Sequence, residues 1–202
     1  MGGEVILKVS KPVVPDAKRA LKRIFKPGEE EPHILFSQAP ALDGMDKNTA
    51  GCWIEWCDIW GKNVVMFGYS ANMLNGEWAL ALALEFTRRF KCVRYGWDSV
   101  GFCKDFFEAK PFGCSIRSTL QMQRRYRNAL KNPDSAAAQK LWTDYATVWA
   151  QACKKSLNQT QAKKEVAKMI EFDDKQVDWY RKCQKTYTKA AKDIFAKLED
   201  KP

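Results

Sequence analysis

Residues 176–199 read QVDWYRKCQKTYTKAAKDIFAKLE, and our prediction of the fold rests mainly on this stretch. Its apolar side chains are separated by three, four, three, four and four residues: Tyr180, Cys183, Tyr187, Ala190, Ile194 and Leu198. That spacing places them on one face of an α-helix. The pattern therefore predicts a helix from about Lys175 to Glu199, with an apolar stripe that needs a neighbour to cover it.

Helical patterns also dominate the sequence before this stretch. Ser115 and Ser135 are of a residue type that caps helix N-termini, and Pro133 marks a break between two helices. An alanine- and leucine-rich run ends in Arg88, Arg89 and Lys91, cations that complement the dipole of a helix C-terminus. The predicted helices are 17–25, 74–91, 98–109, 115–131, 136–156, 160–171 and 175–199.

Extended structure is predicted only in short pieces. Residues 4–9 are apolar and β-branched, which is typical of a strand, and Pro12 ends this segment. The run Val64–Phe67 is too short for its periodicity to decide between a strand and part of a buried helix. Residues 38–51 are rich in turn-forming residue types and predict a long surface excursion.

These patterns predict a mainly α fold: a helical domain with a few short extended segments in the N-terminal third and a C-terminal helical hairpin or arm. We expect three regions. Residues 1–50 form an extension with a basic amphipathic helix and a loop, 51–114 an aromatic and cysteine-rich helical core, and 115–202 an all-helical region. The 202 residues suffice for one substantial domain with an added arm.

The charge of the chain indicates an anionic partner. Lysine and arginine outnumber the acidic residues to give a formal net charge of +10, and hydrophobic residues make up 46% of the chain. The apolar content is that of a globular protein. The basic excess favours nucleic acid, anionic lipid or an acidic protein face.

The cysteines and the N-terminus indicate a reducing compartment. The chain has seven cysteines, and its opening residues lack the apolar run of a signal peptide. We therefore expect reduced thiols in the cytosol or the mitochondrial matrix. The most apolar segment, residues 64–86, contains Asn72, Asn75 and Glu77, which are costly inside a bilayer, so it predicts a buried helix.

No arrangement of residues typical of an active site is found in the sequence. His33 is the one histidine, which excludes histidine pairs that bind metal. Zinc modules need two cysteine or histidine pairs, each with two to four intervening residues, and Cys52 and Cys57 supply one pair; no glycine-rich phosphate loop is present. We therefore expect a protein that is not an enzyme, with no catalytic, cofactor-binding or metal-binding residues.

Two groups of cations are candidates for contact with an anionic surface. The helix predicted at 17–25 carries basic residues on one face and apolar residues on the other, as in helices that lie on anionic lipid. A second group follows the helix predicted at 115–131, where a basic stripe can track a phosphate backbone. The candidates are Lys18, Arg19, Lys22, Arg23, Arg117, Arg124 and Arg127. A solvated helix face is the alternative for each group.

Large apolar residues of the C-terminal region are candidates for contact with protein partners. Aromatic anchors dominate many interfaces, and burial of a large side chain contributes about 1.5–3 kcal/mol. The candidates are Trp142, Trp149, Trp179, Tyr180, Tyr187, Ile194 and Leu198.

The segment 176–199 resembles the helix of mitochondrial ATP synthase subunit d that contains the motif Ile-Asp-Trp-x-Tyr-Tyr-Lys. The matching residues are Asp178, Trp179 and Tyr180, and Trp149 to Lys155 is similar to a preceding tryptophan-containing helix of that family. The span from Trp149 to Glu199 covers about a quarter of the chain. The segment is C-terminal here and nearer the N-terminus in the family. The resemblance implies a non-catalytic subunit of the peripheral stalk that packs against other stalk helices.

The leading functional hypothesis is therefore a structural or accessory subunit of a large intracellular assembly. A mitochondrial membrane complex fits best, on the matrix side of the inner membrane, with a cytoplasmic location as the alternative. A second hypothesis is an RNA-contacting protein of an organellar ribosome, and a third is a peripheral membrane protein that binds through residues 17–26. The expected partners are other protein subunits, anionic lipid or nucleic acid.

Overall fold

The computed structural model describes residues 2–42, 51–57, 61–70, 72–98, 116–153, 156–174 and 176–199. The chain divides into two compact units. The first unit combines Met1–Ser118 with Arg181–Pro202, and the second unit is Thr119–Tyr180. The C-terminal helix therefore contributes most of its length to the unit that contains the N-terminus.

The N-terminal half of the described chain contains both strands and helices, and every described element after residue 98 is a helix. The strands are β1 Gly2–Val9, β2 Lys26–Pro27, β3 Leu35–Gln38, β4 Gly51–Trp56, β5 Val64–Ser70 and β6 Cys92–Asp98. The α-helices are α1 Val14–Ile24, α2 Met73–Arg89, α3 Ile116–Lys131, α4 Ala136–Cys153, α5 Gln159–Asp174 and α6 Val177–Ala196, and a 3-10 turn, Lys11–Val13, precedes α1.

The six strands form one sheet in the order β2-β3-β4-β5-β1-β6, and every neighbouring pair is antiparallel. The prediction of a mainly α fold is therefore wrong, because the first unit is a mixed α/β structure. Strand β1 contains the predicted segment 4–9. Strands β2, β4 and β6 are missing from the prediction, and the helix predicted at 98–109 lies outside the described residues apart from Asp98.

Strand β5 shows why periodicity missed much of the sheet. Its residues from Val64 to Tyr69 are all buried, so both faces of the strand are covered. A strand that is covered on both faces has no alternation of apolar and polar residues. Such a run is indistinguishable from a buried helical segment when only the sequence is read.

Helix α2 is the buried central helix of the first unit. Twelve of its seventeen residues are buried, and it packs on β5, β1 and β4. Asn72 caps it by accepting a hydrogen bond from the backbone N–H of Asn75 at 2.7 Å. The alanines of the helix allow close packing, and burial on several sides explains why apolar residues are not confined to one face. None of the described helices is sufficiently long and apolar to span a bilayer.

Aromatic contacts join the sheet and the helices of the first unit. Phe67 of β5 packs edge-on against Phe86 of α2, with ring centroids 5.7 Å apart. On the same side of the sheet, the indole N–H of Trp78 donates to the hydroxyl of Ser37 at 3.2 Å. Helix α2 therefore covers one face of the sheet, which we call the helix-covered face.

The second unit is helical and has its own core. The core contains Ala129, Ala138, Trp142, Val166 and Ile170, with half-buried aromatic and leucine side chains around it. The hydroxyl of Ser135 accepts a hydrogen bond from the N–H of Ala138 at 3.2 Å, which confirms the helix cap predicted there. Asn158 and Gln161 form a reciprocal capping pair at the start of α5.

Candidate anion-binding surface

The apolar face of α6 is covered by the chain itself. Tyr187 is 1% exposed and packs edge-on against Trp78 of α2, with ring centroids 5.6 Å apart. Phe195 packs edge-on against Phe25 at the end of α1, at 6.1 Å. The neighbour that this stripe needs is thus found within the first unit. Ala191 and Phe195 are its buried members, in place of the predicted Ala190 and Ile194, which are half-buried.

The aromatic residues predicted to bind a partner do not form one exposed surface. Trp142 is fully buried in the core of the second unit. Tyr180, Tyr187 and Leu198 are buried and Ile194 is half-buried, whereas Trp179 is exposed. Trp149 lies in α4, and its side chain is outside the described part of the structure. The packing that was expected from a partner is therefore supplied largely by the chain.

The opposite face of α6 is a row of cations that the sequence-based prediction did not single out. Its members are exposed and recur every one to four residues: Arg181, Lys182, Lys185, Lys189 and Lys192. At about 100° per residue they fall within an arc of about 100°, and they extend over about 17 Å of the helix. We call this set the α6 basic row. The cations occupy positions between the residues of the apolar stripe. This arrangement could have identified the row from the sequence.

Acidic side chains stand at the two ends of the α6 basic row. Asp193 accepts a hydrogen bond from the ammonium group of Lys189 at 2.8 Å, and this bond raises the pKa of Lys189. Asp178 lies in the first turn of α6. Five cations and these two carboxylates leave the row positive, and exposed ion pairs of this kind compete weakly with a polyvalent anion.

The cations of α1 lie in the same unit, and the C-terminal ends of α1 and α6 are in contact. The guanidinium group of Arg23 donates to the backbone carbonyl of Lys197 at 2.8 Å. Lys18 lies over the ring of Trp56, 5.1 Å from its centroid, and Arg19 pairs with Asp16. All four predicted α1 cations, Lys18, Arg19, Lys22 and Arg23, are exposed.

The predicted cations of α3 lie in different surroundings. The guanidinium group of Arg117 lies 3.8 Å from the carboxylate of Glu77 in the first unit. Arg124 is exposed and Arg127 is half-buried, and both belong to the second unit. Arg117 is thus engaged with a buried carboxylate of the first unit, whereas Arg124 and Arg127 belong to the second unit.

Glu77 is the buried ionisable group of this region. Its side chain is fully buried in α2, and its Oε2 atom accepts a hydrogen bond from the backbone N–H of Arg117 at 3.1 Å. Burial raises the pKa of Glu77, and contacts with Arg117 and Gln184 partly oppose this increase. The bonded N–H belongs to the first turn of α3, where a carboxylate also interacts favourably with the helix dipole. Glu77 thus attaches the start of α3 to α2.

Three of the described thiols are not activated. Burial raises the pKa of Cys183 and that of Cys92 to about 11 in each case, and it also raises the pKa of Cys52. A thiol with so high a pKa is protonated near neutral pH and is a poor nucleophile or metal ligand. Within the described residues, no three histidine, cysteine or acidic side chains are grouped to hold a metal ion.

An open groove in the second unit is lined mainly by methyl groups. Its residues include Thr143, Ala146, Thr147, Ala150 and Leu157. The hydroxyls of Thr143 and Thr147 already donate to backbone carbonyls one turn earlier in α4, at 3.0 and 2.9 Å. The polar residues Ser156, Asn158 and Gln159 also line the groove.

Comparison of the chain with protein-family models, with curated proteins and with solved structures found no match.

Proposed function

We propose that this chain is a non-catalytic accessory protein of an RNA-containing assembly, and that the α6 basic row and the α1 cations contact the phosphate backbone. The observation that carries the proposal is the division of α6 into two faces. One face is packed against the chain itself, and the other presents five exposed cations in one row. Rows of this kind neutralise successive phosphates without reading base sequence.

The packing in the first unit supports this proposal over the other two hypotheses. A stalk-like packing subunit would use the apolar stripe of α6, but that stripe is covered by α1 and α2. A helix that inserts into a membrane surface must bury its own apolar face among lipids. In α1 the corresponding residues, Ala17 and Leu21, are already buried in the first unit. The charged faces remain available for an anion.

The salt dependence of RNA binding reports the number of phosphates that the cations neutralise. If four cations neutralise phosphates of a single strand, log K falls with log salt at a slope of about −3. Raising the salt from about 50 to about 200 mM then weakens binding roughly 50-fold. Packing between apolar surfaces would change little over the same range.

The test compares two charge-reversal variants of equal net charge. The first replaces three members of the α6 basic row, Lys185→Glu, Lys189→Glu and Lys192→Glu. The second replaces three exposed lysines of the second unit, Lys131→Glu, Lys140→Glu and Lys164→Glu. Binding to a fluorescein-labelled uridine homopolymer is followed by fluorescence anisotropy over a range of salt concentrations.

We expect the first variant to lose binding and to show a shallower salt slope, while the second variant retains both. Equal losses in the two variants would show that net charge alone drives binding, which would contradict the proposal. Vesicles of phosphatidylserine and phosphatidylcholine serve as the competing anionic surface. Binding to these vesicles without binding to the RNA would assign the row to a membrane instead.

A further inference from the structure

The sheet face opposite the helices carries an aromatic pair, in which Phe36 is exposed and Trp53 is half-buried. Phe36 of β3 lies directly opposite Trp53 of β4, and Lys26 of β2 lies opposite Phe36 on its other side. Phe36 is 51% exposed, whereas its chain neighbours Leu35 and Ser37 are buried on the helix-covered face. Among the described residues, Phe36 and Trp179 are the large apolar side chains that remain exposed.

Glycines allow both rings to lie close to the backbone. A Cβ atom on Gly68, the β5 partner of Trp53, would lie 2.1 Å from the indole ring. A Cβ atom on Gly28 would lie 2.8 Å from the ring of Phe36. Trp53 also packs on the buried cluster of Ile6, Val64 and Met66. We call Phe36 and Trp53 the aromatic shelf, and it is held by the sheet beneath it.

The charges around the aromatic shelf oppose those of the rest of the chain. The turn between β2 and β3 contains three exposed carboxylates, Glu29, Glu30 and Glu31. The carbonyl of Glu31 accepts a hydrogen bond from the N–H of Ile34 at 2.9 Å, and the N–H of Gly28 donates to the carbonyl of Ile34 at 2.8 Å, so this turn is tied to the start of β3. Glu55, two residues after Trp53, points to the same sheet face. Four carboxylates, those of Glu29, Glu30, Glu31 and Glu55, therefore outnumber the cation of Lys26 around the shelf, in a chain whose net charge is +10.

We propose that the aromatic shelf is a docking site for a basic peptide segment of a partner protein, and that an arginine or lysine of this segment stacks on the ring of Phe36. The exposed aromatic face attracts a cation, and the neighbouring carboxylates complete the attraction. A phosphate backbone would be repelled by the same carboxylates. This site is separate from the α6 basic row, so either proposal can fail without the other.

The probe is a short fluorescein-labelled peptide of alternating arginine and glycine, with binding measured by anisotropy at physiological salt. Phe36→Ala removes the ring and Phe36→Tyr retains it. Glu29→Lys with Glu30→Lys reverses the local charge, and Asp144→Lys with Glu171→Lys makes the same change in net charge at exposed sites of the second unit. Circular dichroism and thermal unfolding verify that each variant is folded.

We expect Phe36→Ala to weaken peptide binding about tenfold, Phe36→Tyr to preserve it, and the glutamate pair to weaken it more than its matched control. RNA binding should be unchanged in Phe36→Ala. Three results would overturn the proposal: wild-type protein that does not bind the peptide, equal peptide binding by Phe36→Ala, or a loss of RNA binding in Phe36→Ala. Sedimentation in which Phe36→Ala abolishes self-association would assign the shelf to a second copy of the chain and would also overturn it.

Discussion

The Oε2 atom of Glu77 accepts a hydrogen bond from the backbone N–H of Arg117 at 3.1 Å, and this bond joins the middle of α2 to the first turn of α3. The carboxylate is completely buried, whereas the Arg117 side chain is 41% exposed. The ion pair therefore has one end in the core and one end near solvent. The first N–H groups of a helix have no acceptor within that helix. The Glu77 carboxylate, 40 residues earlier in the chain, accepts from one of them.

Removal of the Glu77 carboxylate should destabilise the first unit. We expect Glu77→Ala to lower the free energy of unfolding by about 2–4 kcal/mol, because an N–H at the start of α3 loses its acceptor and a cavity remains. The partial exposure of Arg117 allows its charge to hydrate, which keeps the cost below that of a fully buried broken pair. Glu77→Gln retains an acceptor oxygen and should cost about 1 kcal/mol. Urea denaturation measures both, and equal stability of wild type and Glu77→Ala would contradict the assignment.

The protein should become less stable as the pH rises, because of the same carboxyl group. Its pKa is raised in the folded state above the ordinary value of 4.5, so the folded state binds the proton more tightly than the unfolded state. The contribution to stability is present below pH 4.5 and is lost as the pH rises through the higher, folded pKa. The measurement is the difference in unfolding free energy between wild type and Glu77→Gln at several pH values. A difference that grows in favour of wild type as the pH rises would refute the predicted sign.

The covered stripe of α6 makes a prediction about the isolated chain. Tyr187→Ala should lower the free energy of unfolding by about 3–5 kcal/mol, since the side chain is buried against Trp78. Lys185→Ala, on the exposed face of the same helix, should change it by less than about 0.5 kcal/mol. Thermal unfolding of the purified chain compares the two. A small effect of Tyr187→Ala in the isolated protein would indicate that the stripe belongs to an interface with a partner.

The close approach of Trp53 to Gly68 predicts a coupled pair of substitutions. Gly68→Ala should destabilise the protein by about 1–3 kcal/mol, because the new methyl group would overlap the indole ring. The cost should largely disappear in a Trp53→Ala background, where no ring occupies that space. A double-mutant cycle by urea denaturation gives the coupling energy. Additive effects of the two substitutions would show that the ring and the glycine are not in contact.

Several elements of this fold could be predicted because their signals are local. Helix α2 lies within two residues of the predicted 74–91, and α4 begins at the predicted Ala136 after the Ser135 cap. Capping and helical spacing depend on residues a few positions apart, so the sequence contains the whole signal. The strands were harder to predict. In β5 both faces are buried, and its partners β4 and β1 come from different parts of the chain.

The candidate surfaces could be predicted only in part. The sequence identified the α1 cations, but it offered no means to choose between the two faces of α6. The choice depends on Trp78 and Phe25, which cover one face and are distant in sequence. The aromatic shelf was likewise not predicted, because the exposure of Phe36 depends on which face of the sheet the helices cover.

The sequence by itself determined the positions of most described helices, the Ser135 cap and the basic balance of the whole molecule, since each follows from neighbouring residues or from composition. Only the tertiary structure decided that α6 packs within the first unit, that six described segments pair into a sheet, and that Glu77 binds Arg117. The physical reason is that burial and strand pairing join residues far apart in the chain, and their free energies are realised only when those residues meet.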